Sequence, residues 1–331
     1  MDFTEWIDLA SERLGGVVLA ANDEFFAPKE SLLKASKPIF VEGKYTDVGK
    51  WMDGWETRRR RTPGFEWCII RLGLPGMIRG VVVDTNHFKG NYPEQCSLEA
   101  CALDGHPDVE KLTSASTQWT EILPKSGLQG DSENRFPIQN ATRFTHLRFN
   151  IFPDGGVARL RVYGEVVPDR SKLASASEVD LAAVENGGLV VTCSDMFFGS
   201  RHNLIMPGRA ASMSDGWETR RRRGPGHDWA VIRLGASGTI RRIEVDTSHF
   251  KGNFPESCSL KACAAPQGAL GESALASLPW ADVLPRTKLQ ADTRHFFAKE
   301  LKSAGRVTHV RFNIFPDGGV ARLRVFGTVS R

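Results

Sequence analysis

One stretch of this chain is written twice, and that constrains the fold more than any other feature. DGWETRRRR occupies residues 53–61 and again 215–223, while DTNHFKGN at 84–91 returns as DTSHFKGN at 246–253. HLRFNIFPDGGVARLRVYG at 146–164 returns at 309–327, changed only at Leu147/Val310 and Tyr163/Phe326. GGVVLAANDEFF at 15–26 matches GGLVVTCSDMFF at 187–198. A period this long is a duplicated domain, not a solenoid repeat. Each copy is long enough to own a core. The blocks predict a first module over 14–166, a polar, Ser- and Ala-rich linker over 167–185, and a second module over 186–329.

Within each copy the apolar runs are short, β-branched and separated by turn residues. Trp67–Leu72 (WCIIRL) and Met77–Asp84 (MIRGVVVD) read as strands. Pro153-Asp154-Gly155-Gly156 reads as the turn of a hairpin whose second strand places Leu160 and Val162 on one face and Arg159, Arg161 and Tyr163 on the other. Helical patterns are confined to residues 3–14 and 177–186. The expected fold is all-β, two tandem jelly-roll β-sandwich modules. No regular strand–helix alternation supports an α/β sheet.

Composition excludes several functions. The net charge of +4, from 43 basic and 39 acidic residues, is too mild to argue for nucleic acid. The arginine runs also lack the interleaved aromatic platforms of a single-strand groove. No apolar run reaches membrane-spanning length, and the N-terminus has no apolar signal core. A cytoplasmic location with reduced thiols is the expectation for the six cysteines.

Three polar constellations could carry chemistry. In extended geometry the first places Glu56, Arg58 and Arg60 on one face and Trp55, Thr57, Arg59 and Arg61 on the other. The second, at a strand end, concentrates Asp84, His87, Lys89 and Asn91, where sandwich loops hold ligands. The third offers Arg148, Asn150, Asp154, Arg159 and Arg161, with its Gly-Gly serving the turn. The first copy also carries an insertion near residues 37–51, with Glu42, Lys44, Tyr45, Asp47 and Trp51, which makes the copies inequivalent.

KPIFVEGKYTDVGKWMDGWETRRRR (37–61), DTNHFKGNYPEQCSLEAC (84–101) and FNIFPDGGVARLRVYG (149–164), with their counterparts at 215–223, 246–263 and 312–327, resemble the allantoicase family over nearly the whole chain. The resemblance implies jelly-roll modules of the galactose-binding, discoidin-like kind. It also implies hydrolysis of allantoate to ureidoglycolate and urea in purine (allantoin) breakdown, by a homo-oligomer acting on a small molecule, with a divalent metal in some members. Allantoate carries one carboxylate and two ureido groups on a central carbon. Side-chain chemistry then suggests Arg58, Arg60 or Arg159 for the carboxylate. Glu56, Asp84 and His87 suit ureido binding and proton transfer, with Lys89 and Asn91 as further binding groups. The matching set is Glu218, Asp246 and His249 with Arg220, Arg222, Lys251, Asn253 and Arg322. A non-catalytic tandem module for a small ligand or carbohydrate is the competing reading, since fold does not fix function. A scaffold whose arginine strands mediate oligomer contacts is another.

Overall fold

The computed structural model describes residues 2–265 and 272–330. The chain divides into two compact units, residues 1–167 and 168–331. Each is a β-sandwich organised around one 19-residue strand, Glu66–Asp84 in the first and Asp228–Asp246 in the second. The two apolar runs at 67–72 and 77–84 are therefore halves of a single strand, continuous through Leu72–Gly76.

The halves of that strand have different neighbours. Glu66–Arg71 pairs with Arg143–Phe152 on one side and Val17–Ala21 on the other. Arg143–Phe152 is followed outward by Gln95–Cys101 and then Thr120–Gly127. Gly76–Asp84 pairs instead with Arg159–Val166 and with Glu133–Pro137, and Ile7–Asp8 closes that edge. The long strand thus passes from one layer of the sandwich to the other, as corner strands do. The second unit repeats the pattern with Leu189–Cys193, Val307–Phe315, Ser257–Cys263 and Ala281–Lys288 in one layer and Arg294–Phe297, Arg322–Val329 and Val179–Asp180 in the other.

The core follows from period-two alternation. Leu147, Phe149 and Ile151 are fully buried, as are Leu160 and Val162, and the Trp55 ring packs 6.2 Å from that of Phe149. Each such side chain contributes roughly 1.5–3 kcal/mol relative to exposure. The counterparts Trp217 and Phe312 repeat the contact at 6.4 Å.

Four sequence expectations are corrected here. Arg143–Phe152 and Arg159–Val166 do not pair with each other as a hairpin; each bonds to its own half of the long strand. The Pro-Asp-Gly-Gly turn is satisfied from outside, Thr57 Oγ1 bonding Gly155 and Asn91 O accepting Gly156 N–H at 2.7 Å. Gly155 takes φ 139°, and a Cβ on Gly156 would lie 2.0 Å from the Phe88 ring. Residues 3–14 are not one helix. Phe3–Glu5 and Glu12–Leu14 are 3-10 turns capped by Asp2 and Ser11, flanking Ile7–Asp8, which joins the edge of the sheet. Residues 177–186 likewise hold Val179–Asp180, paired with Arg322–Val329, and the turn Val184–Asn186. Each unit therefore starts with an edge strand the matching blocks did not reveal, and part of the stretch read as linker belongs to the second sandwich.

All six cysteines are free. Burial pushes the thiols of Cys96 and Cys258 up to about 12 and those of Cys101 and Cys263 to about 11, so they are small apolar residues without thiolate character. His146 and His309 are buried as well, and desolvation lowers both to about 4. The sign follows from linkage. The unfolded chain binds protons at these positions below its ordinary histidine value of about 6.5, while the folded chain does not until about pH 4. Stability is expected to fall as pH drops through that window. Urea midpoints measured from pH 7 to 4 check it: a His146→Gln/His309→Gln double variant should show a shallower decline, and an unchanged slope would contradict the assignment.

Candidate functional site

The structure separates the predicted residues into two places. The first lies where the strand end at Asp84 meets the Pro-Asp-Gly-Gly turn. Asp84 is buried opposite Arg159 in register, and its Oδ1 accepts from the backbone and side chain of Asn86 at 2.8 and 2.7 Å. Glu56 Oε1 accepts from Asn91 Nδ2 at 2.6 Å. Burial pushes both carboxyls above their usual range. His87 sits at φ 71°, its N–H donating to Asp131 and its Nε2 3.3 Å from Pro38 O, with the ring stacked on Phe40. Lys89 is exposed, 3.9 Å from Asp131.

Arg159 is the most thoroughly committed residue of this group. Its Nε donates to Ser36 O, Nη1 to Asp53 O and Ala158 O, and Nη2 to Asp53 Oδ2 at 2.6 Å and Lys37 O. Five donors are all that a guanidinium has, so none is left for a carboxylate. It anchors the insertion of the first copy instead. Burial alone would raise the Asp53 carboxyl, but Arg159, the Ile39 N–H and Lys34 bring it below its usual value.

The second unit repeats these contacts. Glu218 bonds Asn253, Asp246 accepts from Ser248 N–H at 2.8 Å, and His249, at φ 72°, reaches Ala210 O at 2.9 Å. Lys251 is exposed. Arg322 binds Asp215 through its carbonyl and carboxylate. In both copies the groups of this place, the exposed lysines apart, bond within their own loops.

The arginine block does not form the alternating strand expected of it. Only Trp55–Glu56 is strand, paired with Gly156–Val157, and the chain then turns away. Arg58 bonds Asp23 at the surface, as Arg220 bonds Asp195. Arg60 goes elsewhere. Its N–H donates to Asp154 and its Nη1 to the buried Glu66 at 2.6 Å, and Gly64 lies flat against its guanidinium. Arg222 makes the corresponding bonds to Asp317 and Asp228.

The loop from Arg60 to Phe65 walls the second place, a pocket of about 630 Å³ on the outer face of the first unit's sheet, within the usual range for small-molecule sites. Its floor comes from register. On Arg143–Phe152 the residues pointing away from the core are Arg148, Asn150 and Phe152. Ser97 stands beside Asn150, Glu99 beside Arg148, and Glu121 beside Glu99. Lys125 Nζ lies 4.0 Å above the Phe152 ring.

Among the described residues one buried atom each of Arg148 and Asn150 lacks a hydrogen-bond partner. Asn150 is 4% exposed. Its Nδ2 donates to Ser97 Oγ at 3.1 Å and Glu99 Oε2 at 3.2 Å. That orientation is forced, because a flipped amide would set oxygen against carboxylate. Asn150 Oδ1 has no hydrogen-bond partner among the described residues; Arg148 Nε has none either, but forms an ion pair with Glu99 Oε2 at 3.9 Å, the guanidinium lying 5.4 Å from the Trp67 ring centroid. A buried acceptor without a partner at a cavity marks a place for a polar ligand. Ser97, Glu99, Glu121 and Lys125 were missed from the sequence, while Arg148 and Asn150 were noted without a role. The period-two pattern along FNIFPD was the signal available for the latter pair.

Among the described residues no three His, Cys, Asp or Glu side chains gather in a way that could hold a metal ion. No described helix is long and apolar enough to cross a membrane.

A family model described as the allantoicase repeat matches residues 7–167 and 179–330. The chain belongs to the allantoicase family. It is 48% identical to a probable allantoicase of Burkholderia mallei over 100% of this chain and 97% of that one. With a probable allantoicase of Pseudomonas aeruginosa the identity is 50%, over 98% of this chain and 97% of the relative. The crystal structure of allantoicase from Saccharomyces cerevisiae superposes with a TM-score of 0.81 at 37% identity, covering 97% of this chain and 92% of the yeast one. The allantoicase repeat thus coincides with the sandwich unit, edge strand included.

Proposed function

We propose that this chain hydrolyses allantoate to ureidoglycolate and urea in purine breakdown, and that the substrate sits in the pocket of the first unit. The observation that carries the site is the unsatisfied Asn150 Oδ1 at the wall of a polar cavity, with Arg148 beside Glu99 at its margin. Arg148 takes the carboxylate, assisted by the Lys125 ammonium. Asn150 Oδ1 accepts a ureido N–H, and the acceptor-only Glu99 takes others. This leaves the central carbon facing the two carboxyls on adjacent strands. Glu99 removes a proton from water as its oxygen bonds to that carbon, and Glu121 protonates the nitrogen of the departing ureido group, so that urea leaves intact. Arg60 and Glu66 hold the wall of the pocket. Glu56, Asp84 and His87 shape the neighbouring turn.

The reaction runs in the cytoplasm, a compartment that keeps thiols reduced, and in a homo-oligomer. The exposed side chains of Ile39, Phe40, Val41, Tyr45 and Val48 in the first unit's insertion support self-association.

Purified protein incubated with allantoate is expected to release urea and ureidoglycolate in equal amounts. A chelator should leave the rate unchanged. No urea at high protein concentration would overturn the activity, and chelator inhibition reversed by added metal would overturn the metal-free chemistry.

A further inference from the structure

The second unit contains the same constellation, closed upon itself. Asn313 corresponds to Asn150, and its Nδ2 likewise donates to Ser259 Oγ at 3.1 Å. Its Oδ1, unlike that of Asn150, has partners. Arg311 Nε, the counterpart of Arg148 Nε, donates to it at 3.2 Å, and His227 Nε2 lies 3.3 Å away. His227 stands where the first unit has Phe65, and its ring packs on Phe315 at 4.6 Å. Lys261 replaces Glu99 and pairs with Asp282 at 3.5 Å. Arg286 replaces Lys125 and lies 4.3 Å over Phe315, its Nε donating to Ser257 Oγ at 2.8 Å.

From these differences we infer that each chain has one working ligand site, in the first repeat, and that the second repeat is a closed copy whose own His227 and Arg311 occupy the position of the ligand. The inference rests on the pocket assignment above and sharpens it. The second copy lacks the vacancy, since the amide oxygen that a ureido N–H would approach is already bonded. It also lacks the chemistry. With lysine at position 261 the acceptor that would bind ureido N–H groups and activate water becomes a donor. A ligand entering there would displace two internal hydrogen bonds, and the one carboxylate it would meet, Asp282 at the position of Glu121, is already paired with Lys261. Phe65 achieves the opposite in the first repeat. It packs on Phe152 at 4.9 Å and offers no donor, so the Asn150 oxygen stays available.

Three measurements test this. The first is calorimetric titration of the full-length protein with hydantoate, which carries one carboxylate and one ureido group but no second ureido on the same carbon. One hydantoate per chain is expected; two per chain overturns the inference. The second compares Asn150→Leu with Asn313→Leu, matched substitutions at equivalent strand positions, with circular dichroism confirming both folds. Asn150→Leu should lower kcat/KM for allantoate at least a hundredfold and abolish hydantoate binding, while Asn313→Leu stays within about threefold of the parent on both. Equal losses in the two variants would overturn the one-site assignment while leaving the allantoate activity standing. Absence of urea release from the parent protein would instead remove the activity, and the hydantoate stoichiometry would still decide whether the repeats are equivalent. A Phe65→His variant, which installs the closing residue in the first repeat, should raise KM more than tenfold; an unchanged KM counts against His227 as the group that closes the second.

Discussion

Replacing Arg148 with methionine is expected to lower kcat/KM for allantoate by about a hundred- to a thousandfold, a loss of roughly 3–4 kcal/mol in transition-state binding. Methionine keeps the apolar stem of the side chain but removes every donor. A lysine at the same place should restore only part of the loss, because a point charge cannot fork a carboxylate. Arg58→Met is the informative contrast. Arg58 was as plausible as any arginine on sequence grounds, yet it is 64% exposed and bonded to Asp23. Its replacement should change kcat/KM by less than about threefold. Steady-state kinetics on both variants separate the two places: a large loss at Arg58 with none at Arg148 would move the substrate out of the pocket.

A different outcome is expected at Arg159, where the effect falls on stability. Arg159→Met leaves the buried Asp53 carboxylate with only Lys34 and the Ile39 N–H, and strands the carbonyls of Ser36, Asp53 and Ala158. Breaking a buried pair from one side costs about 3–5 kcal/mol. For a unit of this size that corresponds to a fall of roughly 8–15 °C in Tm. The segment over 34–39 that leads into the insertion, which Arg159 and Asp53 tie down together, should become sensitive to proteases. Adding Asp53→Leu is expected to recover part of the loss, because the stranded charge is then gone. Thermal melts of the single and double variants decide the matter. A single variant that melts like the parent but no longer binds hydantoate would return Arg159 to the binding groups.

The architecture was legible in the sequence to the extent that it depends on alternation and repetition. Leu147, Phe149 and Ile151 point inward because every second residue must, and the 162-residue offset could only mean two copies of one sandwich. What could not be read was pairing. Nothing local shows that Arg143–Phe152 and Arg159–Val166 meet different halves of one long strand. That depends on Thr57 and Asn91 satisfying the intervening turn from distant parts of the chain. The edge strands Ile7–Asp8 and Val179–Asp180 escaped for a related reason, since two residues carry no period.

The site was legible only in part, because polar residues shared by both copies are of two kinds. Glu56 with Asn91 and Asp84 with Asn86 recur because the loops need them. Arg148, Asn150 and Ser97 recur because the outer face was duplicated along with the fold. Repetition marks both kinds equally. The discriminating positions are those where the copies differ, Phe65 against His227 and Glu99 against Lys261, and their meaning depends on knowing that both pairs face the same asparagine.

The long strand also bears on how the chain acquires its fold. In each unit it must recruit neighbours from both ends of the sequence, and the peptide that fills two of those places, HLRFNIFPDGGVARLRVYG or HVRFNIFPDGGVARLRVFG, is nearly the same in both. A fully denatured chain therefore presents each long strand with two almost interchangeable suitors. Accepting the wrong one exchanges strands between units with little loss of packing, the characteristic misfolding route of tandem repeats. Synthesis on the ribosome avoids the rivalry: residues 1–167 are complete before the competing peptide at 309–327 has been made, so direction of translation, as much as sequence, keeps the two sandwiches separate.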